Sequence, residues 1–256
     1  MAFKFSAIDR LAEPPSPWTT KGTIVHLALE RLQGDVPAGA RTPDMAAGLV
    51  ADAVDEVLGG PECDGMEVAD LDAFTADAQL LARNVFLLED PNLVQAVGIE
   101  LKLEAEVGGL VLRGIIDRLD RQPDGSLVVV DYKTGRAPRI SDEKARLAGV
   151  HFYACLVEQT FGVVPARVEL LHLREPLVLS SVPSERSRVG LRRRTSAIWQ
   201  AIEQACATDG FQPRPSGLCS VCGYREICPA WVPPAAADQA AGRPAHLAAG
   251  AVAAGL

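Results

Sequence analysis

Leu127-Val-Val-Val-Asp131-Tyr132-Lys133-Thr134-Gly135 is the stretch that decides how this chain folds. Four apolar, mostly β-branched residues predict a buried strand, which ends in an acid, an aromatic, a base and a turn glycine. Strand side chains alternate faces, so Asp131 and Lys133 leave the strand on one side, two residues apart. Upstream, Gly114-Ile-Ile-Asp117-Arg118 closes a second apolar strand, and Pro123-Asp124-Gly125 between the two is a turn signal. A hairpin folded there brings Asp117 beside Asp131 and Lys133. Two carboxylates and an ammonium at neighbouring strand ends suit a hard divalent cation such as Mg²⁺, which leaves positions open for phosphate oxygens. The same residues also read as a surface ion pair.

Further upstream, Ile99 to Val107 alternates, with Leu101, Leu103, Ala105 and Val107 on one face and Glu100, Lys102, Glu104 and Glu106 on the other. Gly108-Gly109 turns this strand into the one spanning Leu110 to Asp120, so three strands form an antiparallel meander. Before them, apolar residues at 24, 25, 28, 29 and 32 have helical spacing, and His26 lies on that helix one turn from Glu30. Residues 1 to 20, with Glu13-Pro-Pro-Ser-Pro17, predict an extended lead-in. Residues 43–58 and 70–89 read as amphipathic helices within an acidic helical insert of about 35–95. After the meander come a helix that Ser141 can cap, running to about Thr160, strands at 167–173 and 177–182, and a long arginine-rich helix from Ser184 to Ala207. From residue 231 to 256 the tail is rich in Ala, Gly and Pro, too poor in apolar bulk to pack, and is expected to be disordered.

The chain has 256 residues, 48% hydrophobic and 23% charged, which are globular values with ample length for a core. No apolar run reaches a membrane span, and the N-terminus has no basic-then-apolar leader, so a cytoplasmic protein without membrane attachment is expected. The net charge of −8 argues against coating nucleic acid by bulk electrostatics. That charge is uneven: Asp35 to Val107 holds sixteen acids against three bases, whereas Gly108 to Cys228 holds thirteen acids against seventeen bases. Arg186, Arg188, Arg192, Arg193 and Arg194 cluster in the second region, either as a solvated helix face or as a surface for a phosphate backbone. No phosphate-loop motif of a nucleotide-driven motor is present. Of the six cysteines, Cys219, Cys222 and Cys228 fall within ten residues, which points to metal rather than disulfides.

The order of these parts resembles the PD-(D/E)XK nuclease superfamily, and within it the RecB-like exonucleases that carry an iron–sulfur cluster. The parts are Gly22-x-x-x-His26 on a helix, Gly114-x-x-Asp117 on a strand, Asp131-Tyr-Lys133 on the next, a helix, then Cys219-x-x-Cys222-x5-Cys228-Pro229. The resemblance implies an α/β fold: a restriction-endonuclease-like core of mixed sheet flanked by helices over residues 1–230, with the helical insert and the cysteine-rich segment at 219–228. It implies Asp117, Asp131 and Lys133 as catalytic residues, and His26, Asp117 and Asp131 as ligands of Mg²⁺ or Mn²⁺. Glu100, Glu104 and Tyr153 are candidate accessory residues. DNA, most simply single-stranded ends, is the implied substrate, repair or recombination the process, and a helicase or repair complex the partner.

Two departures from the family pattern qualify that expectation. Gly149 stands where relatives carry a glutamine ahead of Tyr153, with His151 nearby as a substitute. The family's [4Fe–4S] centre takes a fourth thiolate from a Cys-Pro just before the N-terminal Phe-x-Phe-like segment, where this sequence begins, so three ligands are in hand. Cys206 is the nearest replacement in sequence, Cys63 and Cys155 read as ordinary cysteines, and a three-cysteine zinc site is a chemical alternative. These departures keep open a second reading, a catalytically weakened nuclease-fold subunit that binds DNA or acts as a scaffold.

Overall fold

The structure, a computed structural model, describes residues 1–137 and 140–232, the side chains of 140–150 excepted. The expected disordered tail therefore lies, from residue 233, outside the described residues. So do the proposed cap by Ser141 and the surroundings of Gly149. Among the described residues no helix is long and apolar enough to cross a membrane.

The described chain falls into two compact units. The larger, Thr20–Val57 and Val68–Ile198, holds a five-stranded sheet in the order β1 (Ala96–Val107), β2 (Leu110–Arg121), β3 (Leu127–Lys133), β4 (Arg167–His172), β5 (Leu177–Ser181). β1, β2 and β3 form the expected antiparallel meander. Gly108 and Gly109 both take positive φ, 63° and 80°, the left-handed pair that a two-residue hairpin turn requires. β3 then pairs in parallel with β4, and β4 antiparallel with β5, so the sheet is mixed.

The parallel step needs a crossover, and α4 (Ile140–Phe161) supplies it. Its apolar face covers the sheet: Ala154, Leu156 and Val157 are buried with Leu103, Ile116, Leu119, Val129, Val168 and Leu170. A Cβ on Gly114 would stand 2.8 Å from a Leu156 methyl, 3.1 Å from the Phe152 ring and 3.3 Å from Tyr153, so a residue without a side chain lets α4 settle on β2. α1 (Pro17–Gly34) buries Ile24, Val25, Ala28, Leu29 and Leu32, the positions its periodicity marks. α2 (Pro43–Leu58) and α3 (Leu71–Arg83) make up the acidic helical portion; α3 stops six residues before the expected end, and a short turn over Asn84–Leu87 follows. α5 (Glu185–Thr208) is the long arginine-rich helix.

The smaller unit gathers residues 1–19, 58–67 and the described residues from Trp199. The N-terminal lead-in is not wholly extended: Lys4–Ile8 forms a helical turn closed by a hydrogen bond from the Asp9 amide to the Lys4 carbonyl. The Lys4 ammonium pairs with the Asp9 carboxylate across that turn at 2.9 Å, and the prolines that favour extended backbone begin only at Pro14. Phe5 is buried against the Tyr224 ring, 5.5 Å between centroids. The Tyr224 hydroxyl donates to the Leu11 carbonyl at 2.9 Å, stitching the two ends of the described chain together.

Candidate metal centre

The meander aligns three acids. Arg118 pairs with Val130 and Leu119 with Val129, so Asp117 stands opposite Asp131. Ile99 pairs with Arg118 and Leu101 with Ile116, so Glu100 stands opposite Asp117. Glu100, Asp117 and Asp131 thus lie abreast on three consecutive strands, where directly opposed residues have Cβ atoms roughly 5 Å apart.

Glu100 reaches this row by a backbone distortion. Its φ is +44°, uncommon for a residue with a side chain and costing on the order of 1–2 kcal/mol. Strict alternation would turn it to the outer polar face with Lys102; instead it is half-buried. Across from it, Ile116 and Leu119, three residues apart, both enter the same core cluster, so the face alternation of β2 also slips at this point.

α1 brings His26 over the row, its Nδ1 3.5 Å from Asp117 Oδ2. Ligand atoms of His26, Glu100 and Asp117 all lie within 4.8 Å of one another, the group among the described residues that converges as a metal site would. Asp117 Oδ2 accepts the Tyr132 amide hydrogen at 2.6 Å, which fixes its carboxylate. Asp131 is buried and its Oδ2 lies 2.5 Å from the Lys133 ammonium, which remains partly in solvent. The surface ion bridge that these two residues suggest in sequence is therefore half sunk, its acid inside and its base at the rim.

The electrostatics describe a pocket short of positive charge. Burial raises the Asp131 carboxyl pKa; Lys133 opposes this and Asp117 adds to it. Burial likewise raises Glu100, reinforced by Asp117. For His26, burial works against protonation, but the Asp117 contact and the charges of Asp131 and Glu100 outweigh it and the pKa rises. Burial lifts the Tyr153 hydroxyl pKa, and the nearby charges of Asp131, Asp117 and Glu100 lift it further. A divalent cation cancels this excess, and one imidazole nitrogen with two or three carboxylates is a donor set that Mg²⁺ or Mn²⁺ accepts.

Beneath the row sits Arg118, 1% exposed. It donates to both Glu89 oxygens at 2.6 and 2.7 Å, to both Asp120 oxygens at 2.8 and 2.9 Å, and to the Tyr132 hydroxyl. The Tyr132 ring meets the His26 ring edge-on, 6.2 Å between centroids. Arg118 therefore holds Tyr132, whose amide holds Asp117 and whose ring backs His26.

The remaining candidates go elsewhere. Glu104 pairs with Arg113 at 2.5 Å, both largely in solvent, away from the converging ligands. His151 is buried, with Nε2 2.9 Å from the Ser181 hydroxyl. Sequence reasoning marked Glu100 as an accessory residue, and the structure places it in the converging group; it missed Arg118 as the hub below. A signal for Glu100 existed, since it stands as far before the Gly108-Gly109 turn as Asp117 stands after it.

In the smaller unit, Cys219, Cys222 and Cys228 line one cavity of 340 Å³ together with Met1, Phe3 and Trp231. All three are partly exposed and unbridged. Cys206 is exposed and does not line it, while Cys63 and Cys155 are buried. The three thiols do not converge within 4.8 Å as a group, a spread wider than one tetrahedral zinc ion would need.

A mixed five-stranded sheet thus carries an acid row and a lysine on adjoining strands. The chain belongs to the PD-(D/E)XK nuclease superfamily, whose sequence model matches residues 1–229. The crystal structure of SSO0001 is similar at 16% identity, covering 83% of this chain and 85% of its own, with a TM-score of 0.38, a likeness too slight to carry an argument. No match was found among curated proteins.

Proposed function

We propose that this protein is a divalent-metal-dependent deoxyribonuclease that removes nucleotides from single-stranded DNA ends, acting in repair or recombination alongside a helicase or repair complex. The observation that carries the reading is the row Glu100, Asp117, Asp131 beneath His26, with Lys133 at its rim. His26, Glu100 and Asp117 would hold the ion, with Asp131 beside them. Bound there, Mg²⁺ or Mn²⁺ supplies Lewis acidity toward a phosphoryl oxygen and makes water more acidic. The Lys133 ammonium, tethered to Asp131 and open to solvent, offsets charge that builds on the phosphate as water adds. Tyr153 closes one side of the pocket.

The cysteine cavity supports a second metal group of structural role. Three thiolates opening on one space fit an iron–sulfur cluster, whose cysteine sulfurs each bind a different iron and so lie further apart than the ligands of a single ion. Such a cluster would reinforce the contact that Phe5 and Tyr224 already make.

End-labelled single- and double-stranded DNA incubated with Mg²⁺ or Mn²⁺ tests the catalytic reading. Wild type is expected to shorten single strands from an end, and Asp131→Ala to lose at least a thousandfold in rate. A wild type that binds DNA and cuts nothing supports the scaffold reading instead, to which the Gly149 departure points. Brown visible absorption from anaerobically prepared protein, lost in Cys222→Ser, tests the cluster.

A further inference from the structure

We infer that a second nucleic-acid site, taking a backbone phosphate away from the cleaved bond, lies where α5 begins. The inference rests on the reading of the chain as a nuclease and names an interaction that the metal centre does not supply.

A cavity of 310 Å³ opens there, lined by His151, Ser184, Arg186, Ser187, Gly190, Leu191 and Arg194. Among the described residues its lining carries two guanidinium groups and no carboxylate. Arg186, Gly190 and Arg194 are four residues apart and share one face of α5, so the two arginines flank a floor made by the glycine. A Cβ on Gly190 would meet nothing within 4 Å, so the glycine opens space rather than relieving a clash within the protein. Among the described residues neither Arg186 nor Arg194 has an ion pair, whereas their neighbour Arg188 is committed to Glu158. His151 also lines it, its pKa lowered by burial and its Nε2 2.9 Å from the Ser181 hydroxyl.

Two uncommitted guanidinium forks over an open floor match the charge of a phosphodiester, which arginine binds through paired hydrogen bonds. β5 lies two strands from β3, roughly 10 Å across the sheet, so this phosphate belongs to a different nucleotide from the one at the acid row. The local excess of bases over acids between Gly108 and Cys228 has the same sense.

Fluorescence anisotropy of a labelled 20-nucleotide single strand, in EDTA so that nothing is cut, tests the site. Arg186→Glu with Arg194→Glu is expected to weaken binding at least tenfold and to flatten the log–log salt dependence by about 0.7 for each phosphate no longer neutralised. Gly190→Leu, which fills the cavity without changing charge and favours the helix, is expected to weaken binding with the thermal midpoint held or raised. Unchanged binding in Gly190→Leu overturns the site. An equal loss in Arg192→Glu with Arg193→Glu, a matched charge change outside the lining, also overturns it, as does a wild type that binds no single strand. Hydrolysis of bis(p-nitrophenyl) phosphate with Mn²⁺, a diester too small to reach α5, is expected to be the same in all these variants. Its absence from every one, wild type included, would count against the nuclease reading and leave the binding result to stand alone.

Discussion

Asp117 and Tyr132 are joined across two strands, the Asp117 Oδ2 receiving the Tyr132 amide hydrogen at 2.6 Å. The bond ties a ligand of the converging group to the backbone of the strand that carries Asp131 and Lys133. A carboxylate held this way keeps one rotamer before any ion arrives, so less order is lost on binding.

Arg118 is the support beneath that bond. Arg118→Met removes the partner of two buried or half-buried carboxylates, Glu89 and Asp120, and of the Tyr132 hydroxyl. Urea unfolding is expected to show a loss of about 3–5 kcal/mol, the scale for stranding buried charge. A loss under about 1 kcal/mol would mean the network is not holding the sheet together.

Stability and function are expected to separate at Glu100. Glycine adopts φ +44° without strain, so Glu100→Gly should leave the thermal midpoint unchanged or raise stability by about 1 kcal/mol. The same change removes a carboxylate from the row, and Mn²⁺ affinity should fall at least tenfold. A lower midpoint with intact metal binding would show that the distortion serves folding rather than the site.

Asp77 provides an acid-sensitive brace. It receives Arg174 at 2.8 Å and Lys21 at 2.6 Å, and Arg174 also reaches the carbonyl of Thr134, just past Lys133. The Arg174 hydrogen bond, against an opposing effect of burial and with help from Lys21, holds the Asp77 carboxyl at about 2, below its ordinary 3.8. A depressed carboxyl stabilises the fold above its ordinary value and stops doing so as pH falls through the depressed one. The stability difference between wild type and Asp77→Asn should therefore be flat above about pH 5, at roughly 1–2 kcal/mol once partial exposure is discounted. It should shrink from pH 3.8 toward 2; a difference that stays constant down to the acid limit of the fold would place the brace elsewhere.

Much of this architecture was legible in the sequence because its signals are local. The Gly108-Gly109 and Pro123-Asp124-Gly125 turns set the registers of the meander, and those registers place Asp117 against Asp131. The burial of α1 follows its apolar spacing residue by residue. Glu100 reads in sequence as an accessory on the polar face because alternation assumes a regular strand, and the distortion that re-aims it leaves no mark in composition. Arg118 reads as an exposed charge until Glu89, from a segment 29 residues earlier, is brought beneath it. Lys4–Ile8 turns helical because the prolines that favour extended backbone begin only at Pro14 and leave that segment free.

The central claim is that the acid row under His26 holds the ion used for cutting, and a calorimetric titration of Mn²⁺ against wild type and Asp117→Asn tests it most directly. Asparagine keeps an oxygen for the Tyr132 amide, so the fold should persist while a ligand charge is lost. Wild type is expected to bind Mn²⁺, and the variant to bind at least tenfold more weakly with unchanged circular dichroism. Equal affinity in the two proteins would contradict the account.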